Sequence, residues 1–150
     1  MTELRLVTAP FGSALVGELE ALVDRVFGAF DGVAELRWKL ERMPDITLYI
    51  ASDGDDLIAF KLGYALTPTR YYSWLGGVDQ RYRRQGIARR LMDAQHAWAS
   101  AHGYRAIETG ALVDNAAMLI LNLQVGFRVF GTYQRTGTAR TMLLKDLVTS

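Results

Sequence analysis

The chain has 150 residues, half of them apolar, with 17 basic and 16 acidic side chains and a formal net charge of +1. That size and apolar share give one domain with a substantial core and exclude a disordered chain. The near balance of charge argues against a protein built to bind nucleic acid, and the absence of cysteine excludes disulfides, thiolate catalysis and cysteine-based zinc sites.

The opening MTELRLVTAPFG has no basic region followed by a long apolar run. No stretch reaches the ~20 apolar residues that cross a bilayer, so a cytoplasmic protein without membrane contact is expected. ELRLVTA alternates as a first strand. Residues 15–30 read as a helix, with Leu15, Leu19, Leu22, Val23, Val26 and Phe27 recurring at three and four residues. VAELRWKLERM is a second helix, ended by Pro44. ITLYIAS and LIAFKLGYAL are strands joined by DGDD, whose Asp-Gly pair signals a hairpin. YYSWLGGV is the next strand.

A helix then runs from near Gly86 to about His102, with Ile87, Leu91, Ala94 and Trp98 as its buried stripe and Gly103 as its stop. YRAIETGAL contains a short strand. Asp114 or Asn115 starts a further helix that ends near Gly126. FRVFGTYQR and ARTMLLKDL close the chain as a hairpin. The order predicts an α/β fold with a mixed sheet, as one domain over residues 1–150. The unit around residues 83–102 should connect two parallel strands.

The segment DQRYRRQGIARRL, residues 79–91, places five arginines around Gly86. A glycine loop between a strand end and a helix start offers free backbone N–H groups and the positive end of the helix dipole, which together hold phosphate oxygens. Gly86 lets a phosphate approach without a Cβ in the way, and Ala88 keeps the next turn small. The plainer alternative is an ordinary loop glycine with arginines on a solvated face. The segment is neither a P-loop nor a dinucleotide fingerprint, because the second glycines of both patterns are missing.

RRQGIA fits the pattern Q/R-x-x-G-x-G/A on Arg83, Gly86 and Ala88, and GVDQRYRRQGIARRLM resembles the coenzyme A-binding segment of the GNAT acetyltransferase superfamily. DNAAMLILNLQVGF resembles the later segment of the same family, on Asn115, Met118, Asn122, Gly126 and Phe127. The resemblance runs over about residues 48–147. It implies a mixed, mostly antiparallel sheet of about seven strands with about four helices, strands four and five splayed at the acyl-CoA site. It implies acetyl-CoA as co-substrate and no metal. Backbone amides of Arg84, Gln85, Gly86, Ile87 and Ala88 would hold the pyrophosphate, with Arg83 and Arg84 as charge complement. Gly77 and Val78 would lie along the pantetheine arm. Arg89 and Arg90 either reach the 3′-phosphate or keep the helix soluble. Asn115 and Asn122, seven residues apart, would face the pantetheine, although Asn115 also reads as a helix N-cap.

Many members of the family carry tyrosine where this chain has Asn122, and that tyrosine is taken to protonate the leaving thiolate. Asparagine can hydrogen-bond sulfur but cannot supply a proton. Tyr133 or a water are the alternatives. For the base, Glu108 on the fifth strand lies near the expected gap, Glu35 lies on the second helix, and Tyr72 and Ser73 could hold a water chain. His96 and His102 fall on the helix away from the acceptor. Tyr71, Tyr72, Trp74 and Trp38 form an aromatic set that is either core or the wall of an acceptor cleft. The implied activity is N-acylation of a primary amine of a small molecule or peptide. The alternative is a coenzyme A-binding sensor without turnover, and nucleic-acid binding through the arginines is a third reading that the net charge disfavours. A homodimer through the last strands is a further expectation.

Overall fold

The structure, a computed structural model, describes residues 2–28, 32–135 and 137–147. Seven strands form one sheet. They are β1 (Thr2–Thr8), β2 (Thr47–Asp53), β3 (Asp56–Thr67), β4 (Arg70–Val78), β5 (Ala106–Leu112), β6 (Arg128–Arg135) and β7 (Thr138–Asp146). Four α-helices complete the element order, α1 (Ser13–Phe27), α2 (Val33–Arg42), α3 (Ile87–Ala101) and α4 (Ala116–Gln124). The chain order is the expected one. α1 stops at Phe27, and Phe30, the expected helix end, lies outside the described residues.

The sheet order is β1-β2-β3-β4-β5-β7-β6, and every adjacent pair is antiparallel except β4 and β5. The parallel pair is joined through α3, as a crossover requires. Alternation along the central strands sends side chains to two covered faces. Leu48, Ile50, Phe60, Leu62 and Tyr64 meet Leu19, Leu22 and Val23 of α1 and Leu36 and Leu40 of α2. On the opposite face, Tyr49, Ala51, Ile58 and Ala59 meet Ile87 and Leu91, while Tyr71, Ile107 and Leu143 meet Met92, Ala99 and Val125. The buried face of α3 is broader than the apolar stripe alone suggests. It includes Gln95 and His96, whereas Ala94 and Trp98 are only half-buried.

One irregularity positions the site. Strands β4 and β5 pair only over residues 70–73 and 106–109. Beyond that point β4 continues to Val78 beside β3 alone, and β5 continues to Leu112 beside β7 alone. The β3–β4 register slips between Leu62 and Gly63, which pair with Leu75 and Ser73 and leave Trp74 bulged. A bulge bends a strand and increases its twist, so β4 turns away from β5 where the pairing ends. The Thr109 hydroxyl donates to the Ser73 carbonyl at 2.9 Å and closes the vertex of the gap.

Gly77, on the diverging part of β4, sits under α1. A Cβ added there would lie 2.5 Å from Val26 Cγ1. Gly77→Ala should therefore lower stability by roughly 1–3 kcal/mol, the usual cost of overpacking a stiff contact. Gly17, within α1, has open space around a built Cβ, so Gly17→Ala should raise stability by about 0.5–1 kcal/mol. Urea denaturation of the two variants measures both signs.

Candidate active site

The loop after β4 is built around a carboxylate. Asp79 is buried, and its side chain accepts from the backbone N–H of Arg81 at 3.0 Å, capping a short 3₁₀ turn over Gln80–Tyr82. Both of its oxygens also meet the Arg81 guanidinium, at 3.2 and 3.1 Å, and Arg25 of α1 reaches it at 3.3 Å. These bonds, those to Arg81 first, hold the Asp79 carboxyl down to about 2. The Tyr82 hydroxyl donates to Asp53 at 2.8 Å and ties the same turn to the β2–β3 hairpin.

The backbone then adopts two left-handed residues, Arg84 at φ 65° and Gly86 at φ 77°, and α3 begins at Ile87. A positive φ is costly for arginine and easy for glycine. Alternation of hand in consecutive residues turns successive N–H groups toward one concavity. A Cβ built on Gly86 meets nothing within 4 Å, so the space over the loop is open. The loop and the first turn of α3 therefore fit an anion such as a phosphate group.

The five arginines are not equivalent. Arg81 is held by Asp79, Arg83 donates to the Val78 carbonyl at 3.2 Å, and Arg89 pairs with Asp93 at 3.2 Å. Arg84 and Arg90 are exposed and form no ion pair among the described residues.

Two concavities flank the gap between β4 and β5. The first, of about 430 Å³, opens on the face of α3 and α4. Gly76, Gly77 and Val78 form its β4 wall, with Arg83 and Ala88 at the loop and Asn115, Met118 and Leu121 from α4. Asn115 is the N-cap of α4, accepting from Met118 N–H at 3.2 Å. The expected pairing of Asn115 with Asn122 on one face is corrected. Asn115 is the helix N-cap and lines this pocket, whereas Asn122 is buried at 3% exposure and does not contribute to the lining. Leu121 is a wall of this pocket as well as a partner of the core.

The second concavity, of about 740 Å³, lies against α2 on the opposite face. It gathers Glu35, Lys39, Tyr64, Tyr72, Trp74, Glu108, Tyr133 and Arg140 from six elements. Arg70 holds the Glu108 carboxylate at 3.3 Å. Tyr72 and Tyr133 converge on Gly110 just past the vertex, their hydroxyls 3.6 and 3.3 Å from a Cβ built there. Burial, helped by the neighbouring tyrosines and Glu108, pushes the Tyr72 phenol up to about 12, so it stays a protonated donor. Lys39 bonds the Tyr64 hydroxyl at 3.1 Å, pairs with Glu35 at 3.2 Å and sits over the Trp74 ring.

Other expected residues separate by strand alternation. Tyr72 and Trp74 line the cleft, whereas Tyr71 is fully buried on the other face. Ser73 is buried too, so it cannot share a water chain with Tyr72. Trp38 is half-exposed on α2 under Arg42 and lines neither concavity. His96 is buried under α3, accepts from Lys145 at 3.0 Å and is held proton-free, at about 3, by burial and by that lysine. His102 caps the end of α3.

Sequence reading missed Lys61. This partly exposed lysine of β3 stands opposite Gly76 and lines the first pocket. A single charge within the apolar run LIAFKLGYAL was the available signal.

The parted seven-stranded sheet is the fold of solved acetyltransferases. The ribosomal-protein-S18-alanine N-acetyltransferase from Escherichia coli superposes with a TM-score of 0.84 at 13% identity, covering 100% of this chain and 96% of that one. Ard1 from Thermoplasma volcanium gives 0.82 at 15% identity, covering 99% of both chains. A GNAT family acetyltransferase from Elizabethkingia anophelis with acetyl-CoA bound gives 0.73 at 15% identity, covering 97% of both. A search of curated proteins found no match. A model of the acetyltransferase (GNAT) family matches residues 18–127, and the chain belongs to that family. Among the described residues no helix is long and apolar enough to cross a membrane, and no group of acidic and histidine side chains could hold a metal ion.

Asp79 gives a pH test of the loop. Its carboxyl is depressed in the folded state, so its stabilisation is fully present above the ordinary value near 3.8 and is lost as pH falls through about 2. Asp79→Asn should lower the urea midpoint at pH 7. That deficit should shrink below about pH 4 and vanish near pH 2.

Proposed function

We infer that this protein transfers an acetyl group from acetyl-CoA to a primary amine of a small molecule or peptide, by direct attack while both substrates are bound. The observation that carries this reading is a pocket over Gly76–Val78 and the Arg83–Ala88 loop, with a second cleft beside α2 that takes in Tyr72 and Glu108 where β4 and β5 part. A thioester donor and an amine acceptor must approach one carbon from two sides, and the gap offers both approaches.

The residues of the first pocket fit the donor. The open cradle over Gly86 and the first turn of α3, with backbone N–H groups of residues 84–88, would take the pyrophosphate, and Arg83 and Arg84 would balance its charge. Arg89 is engaged with Asp93 and would have to exchange partners to reach a phosphate. Beyond Ser73, β4 has a neighbour on one side only, so backbone groups of residues 75–78 are left to bond an extended pantetheine chain or the thioester carbonyl. Asn115 stands where the chain passes α4. Asn122 belongs to the reading only as a buried support of α4.

On the acceptor side Glu108 is the base we assign. It lines the cleft beside the gap, and its bond to Arg70 fixes its carboxylate. Tyr72 and Tyr133 would orient the amine or a water between it and Glu108. Trp74, Tyr64 and Tyr72 give the cleft aromatic walls, and Glu35 and Glu108 give it anionic points that suit an incoming ammonium group. Some proteins with this fold are named for acting on protein alanine, which supports including peptide amines among the acceptors. Cytoplasmic location and a homodimer through the exposed Val129 and Phe130 of edge strand β6 complete the proposal.

The test is calorimetric binding of acetyl-CoA followed by CoASH release over a panel of small amines and alanine-initiated peptides. Saturable binding with acceptor-dependent release supports transfer, and binding with no release from any acceptor supports the sensor instead. Gly86→Asp should raise the acetyl-CoA Kd at least about tenfold, since a carboxylate would face the anion and the left-handed backbone disfavours a side chain. An unchanged Kd in a folded variant rejects the loop as the donor cradle. Glu108→Gln should cut kcat by roughly 10²–10⁴ while leaving acetyl-CoA affinity in place.

A further inference from the structure

The donor pocket has a direction. Its mouth is the loop at Arg83 and Ala88, and its β4 wall runs from Val78 toward the vertex at Ser73. A donor anchored at the loop by its phosphates therefore presents its reactive end near Gly76, the β4 residue of the lining nearest the vertex. Lys61 is the cross-strand partner of Gly76. A Cβ built on Gly76 would lie 2.8 Å from Lys61 Cδ and 3.5 Å from its Nζ, so the lysine stem lies flat against β4 at that point. Glycine at position 76 is what gives the stem room.

Among the described residues no carboxylate pairs with this cation. No ion pair to Lys61 exists among the described residues, and its own Nζ forms no hydrogen bond among them. The charged groups around it are mostly basic. Arg83 shares the pocket, Arg89 of α3 and Lys145 of β7 lie near the neutral His96, and Asp93 of α3 is the carboxylate among them, held by Arg89. A lysine crowded by protein on most sides and without an anionic partner costs stability, although part of its surface stays exposed. It faces a pocket in which Arg83 is the other charged wall among the described residues.

We propose that the Lys61 ammonium faces the sulfur of the acyl donor and supplies the proton that the departing thiolate takes up. This rests on the donor assignment above. As the acceptor nitrogen bonds to the acyl carbon, the carbon–sulfur bond breaks and its electron pair goes to sulfur. A proton passes from Lys61 Nζ to sulfur, giving CoASH and a neutral amine that regains a proton from solvent after release. The acceptor's surplus proton goes to the base on the other face. Burial alone lowers the Lys61 ammonium to about 8, which makes it a competent acid near neutral pH. The neighbouring candidates do not fit. Asn122 carries no transferable proton, and His96 holds none at neutral pH. Tyr133 stands on the acceptor side of the gap.

An acceptor-free measurement tests this. CoASH is bound to the wild-type protein, to Lys61→Met and to Lys61→Arg, with binding followed by calorimetry, and the thiol is titrated by its ultraviolet thiolate absorbance. The bound thiol should titrate about one pH unit or more below free CoASH in the wild type, a tenfold gain in thiolate. Lys61→Arg should keep that shift and Lys61→Met should lose it while still binding CoASH. Equal titration in wild type and Lys61→Met overturns the proposal and leaves the donor site standing. Should Lys61→Met fail to fold, the wild type decides alone, and a bound thiol that titrates like free CoASH overturns the proposal. No CoASH binding by wild type overturns the donor assignment, and the role of Lys61 falls with it.

Discussion

The parting of β4 and β5 is the constraint from which the rest of the site follows. Two neighbouring parallel strands share only four residue pairs, and each then continues with a single neighbour. Unpaired backbone groups inside a sheet are costly unless something bonds them. The protein maintains the opening by bulging β4 at Trp74, by bonding the Ser73 carbonyl to Thr109 at the vertex, and by packing α1 onto Gly77. A sheet without this fault would separate its two faces completely. With it, a pocket under α3 and α4 and a cleft beside α2 are both built on β4, from Gly76–Val78 and from Tyr72–Leu75.

The basic loop is organised by an acid. Asp79 binds one arginine of the segment and one from α1, and Tyr82 fixes the same turn to the β2–β3 hairpin. These bonds secure the polar turn without covering Gly86. Arginine count is therefore a poor guide to the site. Of five arginines, three are engaged within the protein, and the open feature is backbone.

The element order was legible because each helix and strand carries its own periodicity, and the loop was legible because its features are local in sequence. Lys61, Tyr64, Glu108 and Arg140 were harder to connect, since their strands converge only through the sheet order and the fault. Glu108 and Tyr72 were readable individually, and the structure brings them together with Tyr133 over Gly110. Asn122 misled for a local reason. Spacing of seven implies one helix face only if both residues are helical, and Asn115 is a cap with φ −90° and ψ 75°. Ser73 misled by a single step of alternation, which sends it to the face opposite Tyr72.

The two faces of the gap differ in charge as well as shape. Among the described residues, the charged side chains lining the pocket under α3 are Lys61 and Arg83, both cations. The cleft beside α2 is lined by two carboxylates, Glu35 and Glu108, against two cations, Lys39 and Arg140. Lys39 is already bound to Glu35 and stacked on Trp74, which leaves Glu108 as the carboxylate nearest the vertex. A reaction crossing the gap begins with a cationic amine on one side and ends with an anionic leaving group on the other. In the proposed reaction, Glu108, held by Arg70, would draw protons from the nitrogen side and Lys61 would supply them on the sulfur side. Sheet registration would set that polarity, because it places Glu108 beside Tyr72 and Lys61 beside Gly76.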